Sequence, residues 1–505
     1  MIVIIVIILF SFILSENNQI DSYFSLDNRL EYKLIEYGIL KTGNNDVFIL
    51  NQPYSNAQTF KILKKVDLID TNFYNRYGYL NKEDGKVGVK SSLGLNRVEY
   101  DEENLLKPFV SLDGYMNLND IILVNSIDID KTLKDDLNYH GDKEEWATAY
   151  ITDSYLLYKK NNIEIFGGRT LRNFGALNEY GLLLSNNPYS FDHYGFSSNN
   201  EKIKYSFYCT RLNNVKKGLD SQGMVIPFEY DNNGNLIVDD NNDPILTEVE
   251  TKRYFSVQRL DFKVSNNFQG ALSAATIYGG PNQGFVADFI NPINLYYLSQ
   301  RNNQTQMNNF YQLSLFYKIN NSSIYFDFLI DDIIVNNEPG ATDEYDNRLG
   351  LVIKFSSSDV IFDKSLFSIR YAKIWNETYL SYRNFENYTF FNKGIGFPFN
   401  GFEGLKFSFS LFKYKKLLNN VELELYRKGD NDLSDLFFDE PSPFPSGEVE
   451  YGLSLLIDLL YFSSNDIDLS YSYSYNRSSD SFKNLSEDFN SNSFYKFKLV
   501  YNFQY

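Results

Sequence analysis

From about Gly85 to the C-terminus, apolar and polar residues alternate with a period of two. Leu469, Tyr471, Tyr473 and Tyr475 alternate with Ser470, Ser472 and Ser474, and Leu453, Leu455, Ile457, Leu459 and Tyr461 share one face. Runs of this kind open at 108–117 and close at 492–505, and include 161–169, 201–210, 378–391, 402–415 and 417–427. Such alternation is the signal of strands with one apolar face. Before Gly85 the period is helical. Leu26, Leu30 and Leu34 recur within Ser22–Tyr37, with Gly38 as the expected C-terminal stop. A second helix is predicted after Pro53, where Ser55 and Gln58 match the Ser-x-x-Gln capping box.

Strands this long distinguish two all-β architectures. A tilted strand crosses a bilayer in roughly 9–11 residues, whereas globular strands average about five or six. The connections also alternate in length. Short turns are expected at Lys160–Asn162, Asn266–Asn267, Asn320–Ser322 and Leu417–Asn420, and long polar loops at 211–250, 280–306, 333–346, 428–446 and 477–491. Short turns at one end and long loops at the other fit a transmembrane antiparallel β-barrel better than a soluble sandwich. The last segment, Tyr495, Phe497, Leu499, Tyr501, Phe503 and Tyr505, alternates to an aromatic terminus. That pattern is expected to be read by the barrel assembly machinery, and pairing it with the first strand removes an aggregation-prone edge. The expectation is a barrel of about 18 strands with a small N-terminal helical segment on the periplasmic side or in the lumen as a plug.

Residues 1–14 are one apolar run, spanning about 21 Å as a helix and so shorter than the bilayer core. Residues 1–15 therefore read as a signal peptide, 16–84 as the helical segment and 85–505 as the barrel. Mean hydropathy is −0.35, which a barrel tolerates because only alternate strand residues face lipid.

The formal charge of −18 disfavours a nucleic-acid partner, since a polyanion needs a basic stripe. One cysteine, Cys209, excludes an internal disulfide framework and any multi-cysteine metal site, and two histidines, His140 and His193, leave little room for hydrolytic chemistry. No cofactor, metal or catalytic residue is expected.

The segment 163–196 resembles the capsule-assembly Wzi family of outer-membrane proteins. It carries Gly168 and Arg169 at the end of a strand, the turn Phe174–Gly175, then Leu182 and Leu183 before Ser185 and Pro188. Phe174 stands where the family more often has Trp, and Ala176 replaces Gly or Pro. The pieces GILK at 38–41, QPYS at 52–55, TIYGG at 276–280, FINPINLYYLSQ at 289–300, FLIDDI at 328–333 and FPSGEVEYG at 444–452 agree in order. The resemblance implies an 18-stranded barrel with periplasmic-side helices in the outer membrane of a Gram-negative-type bacterium. It also implies a lectin role, holding surface polysaccharide during capsule assembly without bond-breaking chemistry.

Guanidinium and amide groups suit acidic sugars through bidentate, directional hydrogen bonds. On that chemistry the candidate ligand-binding residues are Arg169, Arg172, Asn173, Asn178 and Glu179 around the turn, with Arg211 and Arg301 on the loops. The bland alternative for Arg169 is a luminal ion pair with Glu164 or Asp153. Three further constellations are weaker. The loop 231–243 has calcium-like oxygens but fails the EF-hand pattern. Asp331 and Asp332 are adjacent and so point to opposite faces. His193 beside Asp192 and near Ser190 would need a triad geometry. Surface polysaccharide and outer-membrane lipid, including lipopolysaccharide, are the expected partners. The rival reading is a porin or solute channel with a helical plug, followed by a His-dependent phospholipase.

Overall fold

The computed structural model describes residues 21–504 apart from 44–46, 67, 69–76, 78–86, 101–102, 119, 137–138, 144–147, 218–233, 239–248, 281–282, 290, 292–293, 295, 304, 334–346, 436, 438–441, 464–466 and 482–488. The signal-peptide segment and most of the acidic loop 231–243 lie outside the described residues.

Eighteen antiparallel strands close into a barrel. Val87–Tyr100 pairs on one side with Glu103–Leu118 and on the other with the last strand, Asn490–Gln504, in the register Leu95↔Leu499 and Leu93↔Tyr501. The aromatic C-terminal strand thus has both edges satisfied, as its pattern requires. Outward positions form an exposed apolar band, including Leu93, Ile165, Leu272, Tyr317, Phe355 and Phe497. In water such a band would be an aggregation surface, and in a bilayer it is the lipid face. Short turns collect at one end, as at Asn161–Asn162 and Asn320–Asn321, and long connections at the other.

The strand assignment needs four corrections. Val87–Tyr100 and Phe191–Asn199 are further strands; in the first, Val87, Val89, Leu93 and Leu95 share the outward phase, broken only at Ser91, and the second has no clean alternation. Residues 378–391 are not a strand. They belong to a long connection, 375–401, that folds into the lumen, where Tyr379, Leu380, Phe385 and Tyr388 are buried. The turn expected at Leu417–Asn420 is 413–416, with Leu417 already in the strand. The helical stop at Gly38 also fails, since the first helix runs Arg29–Thr42. A Cβ on Gly38 would come within 2.6 Å of Ile62 on the second helix, so this glycine permits close helix packing. Gly43, at φ 62°, is the actual left-handed cap and donates its N–H to Ile39.

The second helix, Asn56–Val66, starts as its capping box dictates: Ser55 N–H donates to Gln58 Oε1 at 3.2 Å, and Gln58 N–H to Ser55 Oγ at 3.3 Å. The two helices do not hang below the barrel. Leu34, Ile35, Leu40, Ile62 and Leu63 join one buried core with wall residues Ile122, Tyr155, Phe316, Tyr325, Leu366, Leu418 and Phe462. The N-terminal unit therefore occupies the lumen at the short-turn end.

Candidate functional site: a filled lumen and an open mouth

Two connections from the long-loop end enter the lumen from above the helices. In residues 171–190, Asn173–Phe174 pairs with Asn51–Gln52, and Leu182, Leu183 and Leu184 are buried. In residues 375–401, the Tyr379 hydroxyl donates to Leu182 O at 2.6 Å and the Tyr388 hydroxyl to Leu183 O at 2.6 Å. The inward wall turns apolar where these loops pack, at Val257, Ile277, Phe310, Leu329, Val352 and Ile374. Arg253, fully buried, reaches in from the wall and donates to the carbonyls of Phe385 and Thr389 at 2.8 and 3.0 Å. Three separate segments thus occupy the lumen.

A buried ion network ties the first helix and the loop 171–190 to the wall. Lys354 contacts Glu36 of the first helix at 2.9 Å, and Ser356 Oγ donates to the same carboxylate at 2.7 Å. Glu179 on the inner loop receives Lys406 at 2.5 Å and Arg370 at 3.3 Å. Lys33 reaches Glu422 at 2.7 Å, and Arg370 also reaches Glu424 at 2.8 Å. Burial disfavours the charge of Glu179, but Lys406, Arg370, Lys354 and Lys33 bring its pKa down from 4.5 to about 2. Beside the network lies a polar cavity of about 400 Å³, bounded by Arg29, Tyr180, Lys406, Glu422, Glu424 and Asp458.

The candidate residues separate accordingly. Asn173, Asn178 and Glu179 are brought together, but as structural groups. Asn173 Nδ2 donates to Gln52 Oε1 at 2.8 Å while its Oδ1 accepts from Gly181 N–H at 2.8 Å, and Asn178 Nδ2 donates to Glu36 at 2.7 Å. Arg172 is buried, with Tyr208 at 3.7 Å and Phe166 at 4.5 Å from its guanidinium, so it is not accessible to a polymer. Arg169 is neither luminal nor paired with Glu164 or Asp153. It shares the outward phase of Ile163 and Ile165 and forms a bidentate pair with the exposed Asp192 at 2.9 and 3.1 Å. Arg211 is exposed at the rim and donates to Asn214 at 3.0 Å. Arg301 lies in the helix Tyr296–Asn303, and its side chain is outside the described residues.

The hydrolase geometry is not formed. His193 Nε2 accepts from Arg172 Nε at 2.7 Å and its Nδ1 faces Phe191 O at 2.9 Å, which assigns a neutral Nδ1–H imidazole. Asp192 points to the other face of the strand, and Ser190 donates to Thr152 O at 2.7 Å. Asp331 and Asp332 share Arg348, at 3.9 and 2.8 Å, as structural groups: Asp331 is buried and also accepts the Tyr379 N–H at 2.8 Å, while the Asp332 carboxylate is exposed.

The accessible polar space is at the long-loop end. A cavity of about 1020 Å³ opens there between residues 392–400, 428–433 and 448–451. Its lining combines cations (Lys393, Lys428), amides (Asn187, Asn400, Asn431), acids (Asp430, Asp432, Glu448, Glu450) and two aromatic rings (Phe399, Tyr451). Sequence reading missed these residues because they come from four connections whose convergence no local pattern records. It also missed Lys354, Arg370, Lys406 and Glu422. These sit in the polar phase of otherwise apolar strands, a signal that marks luminal residues once the barrel is assumed.

The two inner loops meet without spare room: a Cβ on Gly396 would collide with the Leu182 carbonyl. Replacing Gly396 with valine is expected to loosen residues 375–401, costing about 1–3 kcal/mol. Limited proteolysis should then cut within 375–401 while the barrel keeps its heat-modifiable electrophoretic shift.

No family model and no curated protein matches the chain. Among solved structures, it is similar to Wzi of Escherichia coli, an outer-membrane protein involved in group 1 capsule assembly and a carbohydrate-binding β-barrel. That match has a TM-score of 0.57 and 10% identity, and covers 95% of this chain and 98% of that one. It is also similar to OprD of Pseudomonas aeruginosa, with a TM-score of 0.45, 10% identity and coverage of 84% and 97%. OccK10 of the same organism has a TM-score of 0.43 and 11% identity, covering 84% and 99%. At 10% identity the likeness to Wzi is one of fold alone, and it agrees with the closed 18-stranded barrel.

Proposed function

We propose that this chain is an outer-membrane barrel that binds surface polysaccharide at its long-loop mouth, a distant counterpart of the capsule-assembly Wzi family with no catalytic step. The observation that carries this reading is the contrast between the two ends. A packed apolar core occupies the lumen at the short-turn end, while a large polar cavity with aromatic rings opens at the other. A diffusion channel needs a continuous aqueous path, whereas a lectin needs a wide polar surface with sugar-stacking rings. Lys393 and Lys428 supply charge-assisted contacts to acidic sugars, and Phe399, 42% exposed, offers an apolar ring beside them, while Asn187 and Asn431 stiffen the rim through Gly394 O and Ser446 Oγ. The short-turn end then faces the periplasm.

The test is retention of the producing cell's own surface polysaccharide by purified protein. Replacing Lys393 and Lys428 with alanine removes two charged donors worth about 1.5–3 kcal/mol each, so retention should fall roughly tenfold or more. Arg169→Ala, on the outer wall, should retain polymer like the parent. Equal retention by the lysine variant and the parent would sink the mouth assignment. A steady open-channel current from the intact protein in planar bilayers would favour the solute channel instead.

A further inference from the structure

The barrel wall carries one outward patch that does not look like a lipid face. On strands Val249–Lys263, Phe268–Gly280 and Met307–Ile319, the register aligns Tyr254 with Tyr278, Ser256 with Thr276, and Thr276 with Asn309, all in the outward phase. Gln258 continues that row. Farther along the same strands, outward residues are apolar and exposed, Leu272 at 54% and Tyr317 at 47%. Here they are covered: Ser256, Thr276 and Tyr278 are at 0% and Met307 at 4%. The cover is the chain's own connection. Gln258 Nε2 donates to Asn294 O at 2.8 Å, and Asn309 Nδ2 donates to Gln300 Oε1 at 2.9 Å. Phe289 packs on Tyr278 at 4.5 Å between ring centres, and Tyr296 follows at 6.0 Å from Phe289. The described residues between 283 and 303 thus fold down over the outside of the barrel.

The exposed side of this flap carries large apolar residues beside the polar Asp288 and Asn291. Leu298 is 53% exposed and Tyr297 48%; Phe285, at the flap's edge, packs on wall Tyr254 at 5.4 Å between ring centres and keeps 37% of its surface exposed, while Tyr296 and Ser299 are buried. Asn309, under the flap, is two residues from the exposed outward Tyr311, a separation of about 7 Å along a strand. The flap therefore begins where the apolar band ends. Polar side chains in a lipid-facing row are costly unless shielded or paired, and the flap pairs Gln258 and Asn309 and covers Ser256 and Thr276 while presenting apolar residues of its own outside them.

We infer that this flap is seated in the outer leaflet, with Leu298 and Phe285 inserted at the boundary between headgroups and acyl chains as an interfacial anchor. Continuity with the lipid band selects lipid as the occupant over a second copy of the chain. The test uses the full chain in lipid vesicles, with the buried native thiol removed by Cys209→Ser and a nitroxide attached at Leu298→Cys. References are Leu272→Cys on the lipid band and Ser434→Cys on an exposed loop. The Leu298 probe is expected to match the Leu272 probe, colliding several-fold more with oxygen than with a water-soluble nickel complex. A Phe285→Cys probe provides a second, independent reading should the first variant fold poorly. A ratio like that of Ser434 would overturn the inference. So would shielding from both reagents together with dipolar broadening between probes, which would identify the patch as a contact between copies.

Discussion

Replacing Glu179 with leucine is expected to destabilise the inner loop more than any other single substitution in the lumen. Three wall cations, Lys406, Arg370 and Lys354, converge on this carboxylate at 2.5, 3.3 and 3.9 Å. Lys354 retains Glu36, and Arg370 retains Glu424, but Lys406 is left with Glu422 at 3.8 Å. Removing one member of a buried ion cluster strands the others, at a typical cost of about 3–5 kcal/mol. Thermal unfolding followed by the heat-modifiable band, together with proteolysis of residues 171–190, should show the loss. Lys406→Met in the Glu179→Leu background should recover part of it, because the stranded cation goes with its partner.

The same group sets a pH dependence. Its folded pKa of about 2 lies below the ordinary 4.5, so the unfolded chain binds the proton more readily. The stabilising contribution is fully present above about pH 4.5 and is lost progressively as pH falls toward 2. Glu179→Leu should lack that component of the acid profile, and an unchanged slope in this window would show that the pair contributes nothing to docking.

Much of the barrel was legible because a strand with one face in lipid must alternate, and the closing strand is aromatic to its end. The parts that misled share one cause. Residues 378–391 are as aromatic as a strand, yet Tyr379 and Tyr388 are buried because the lumen itself is a packed interior. Arg172 and Glu179 read as ligand groups because chemistry alone cannot say whether a charge meets a polymer, an aromatic cage or buried lysines. Arg169 looked luminal for want of strand phase: one residue of register separates the lumen from the outer wall. The mouth residues were illegible for the opposite reason, since Lys393 and Glu448 on loops, and Lys428 at a strand end, are brought together only by the closed barrel.

Shortening the chain to begin at Val87 is expected to leave a barrel that conducts. All eighteen strands and the closure of Val87–Tyr100 on Asn490–Gln504 remain, so the backbone hydrogen bonding of the wall is untouched. The apolar core at the short-turn end is lost, because Leu34, Ile35, Leu40, Ile62 and Leu63 leave with the truncated unit. Wall residues Tyr155, Phe316, Tyr325 and Phe462 then face water, at roughly 1.5–3 kcal/mol for each large apolar side chain so exposed. The inner loop also loses its pairing with Asn51–Gln52 and its bridge to Glu36, so residues 171–190 become mobile enough to clear a path. Planar-bilayer recordings should show current from the truncated barrel and none from the intact one, and polymer retention should weaken as the mouth loses its support. A truncated barrel that keeps its heat-modifiable shift yet stays silent would mean that the two inner loops alone block the lumen, and the helices would then have a role other than plugging.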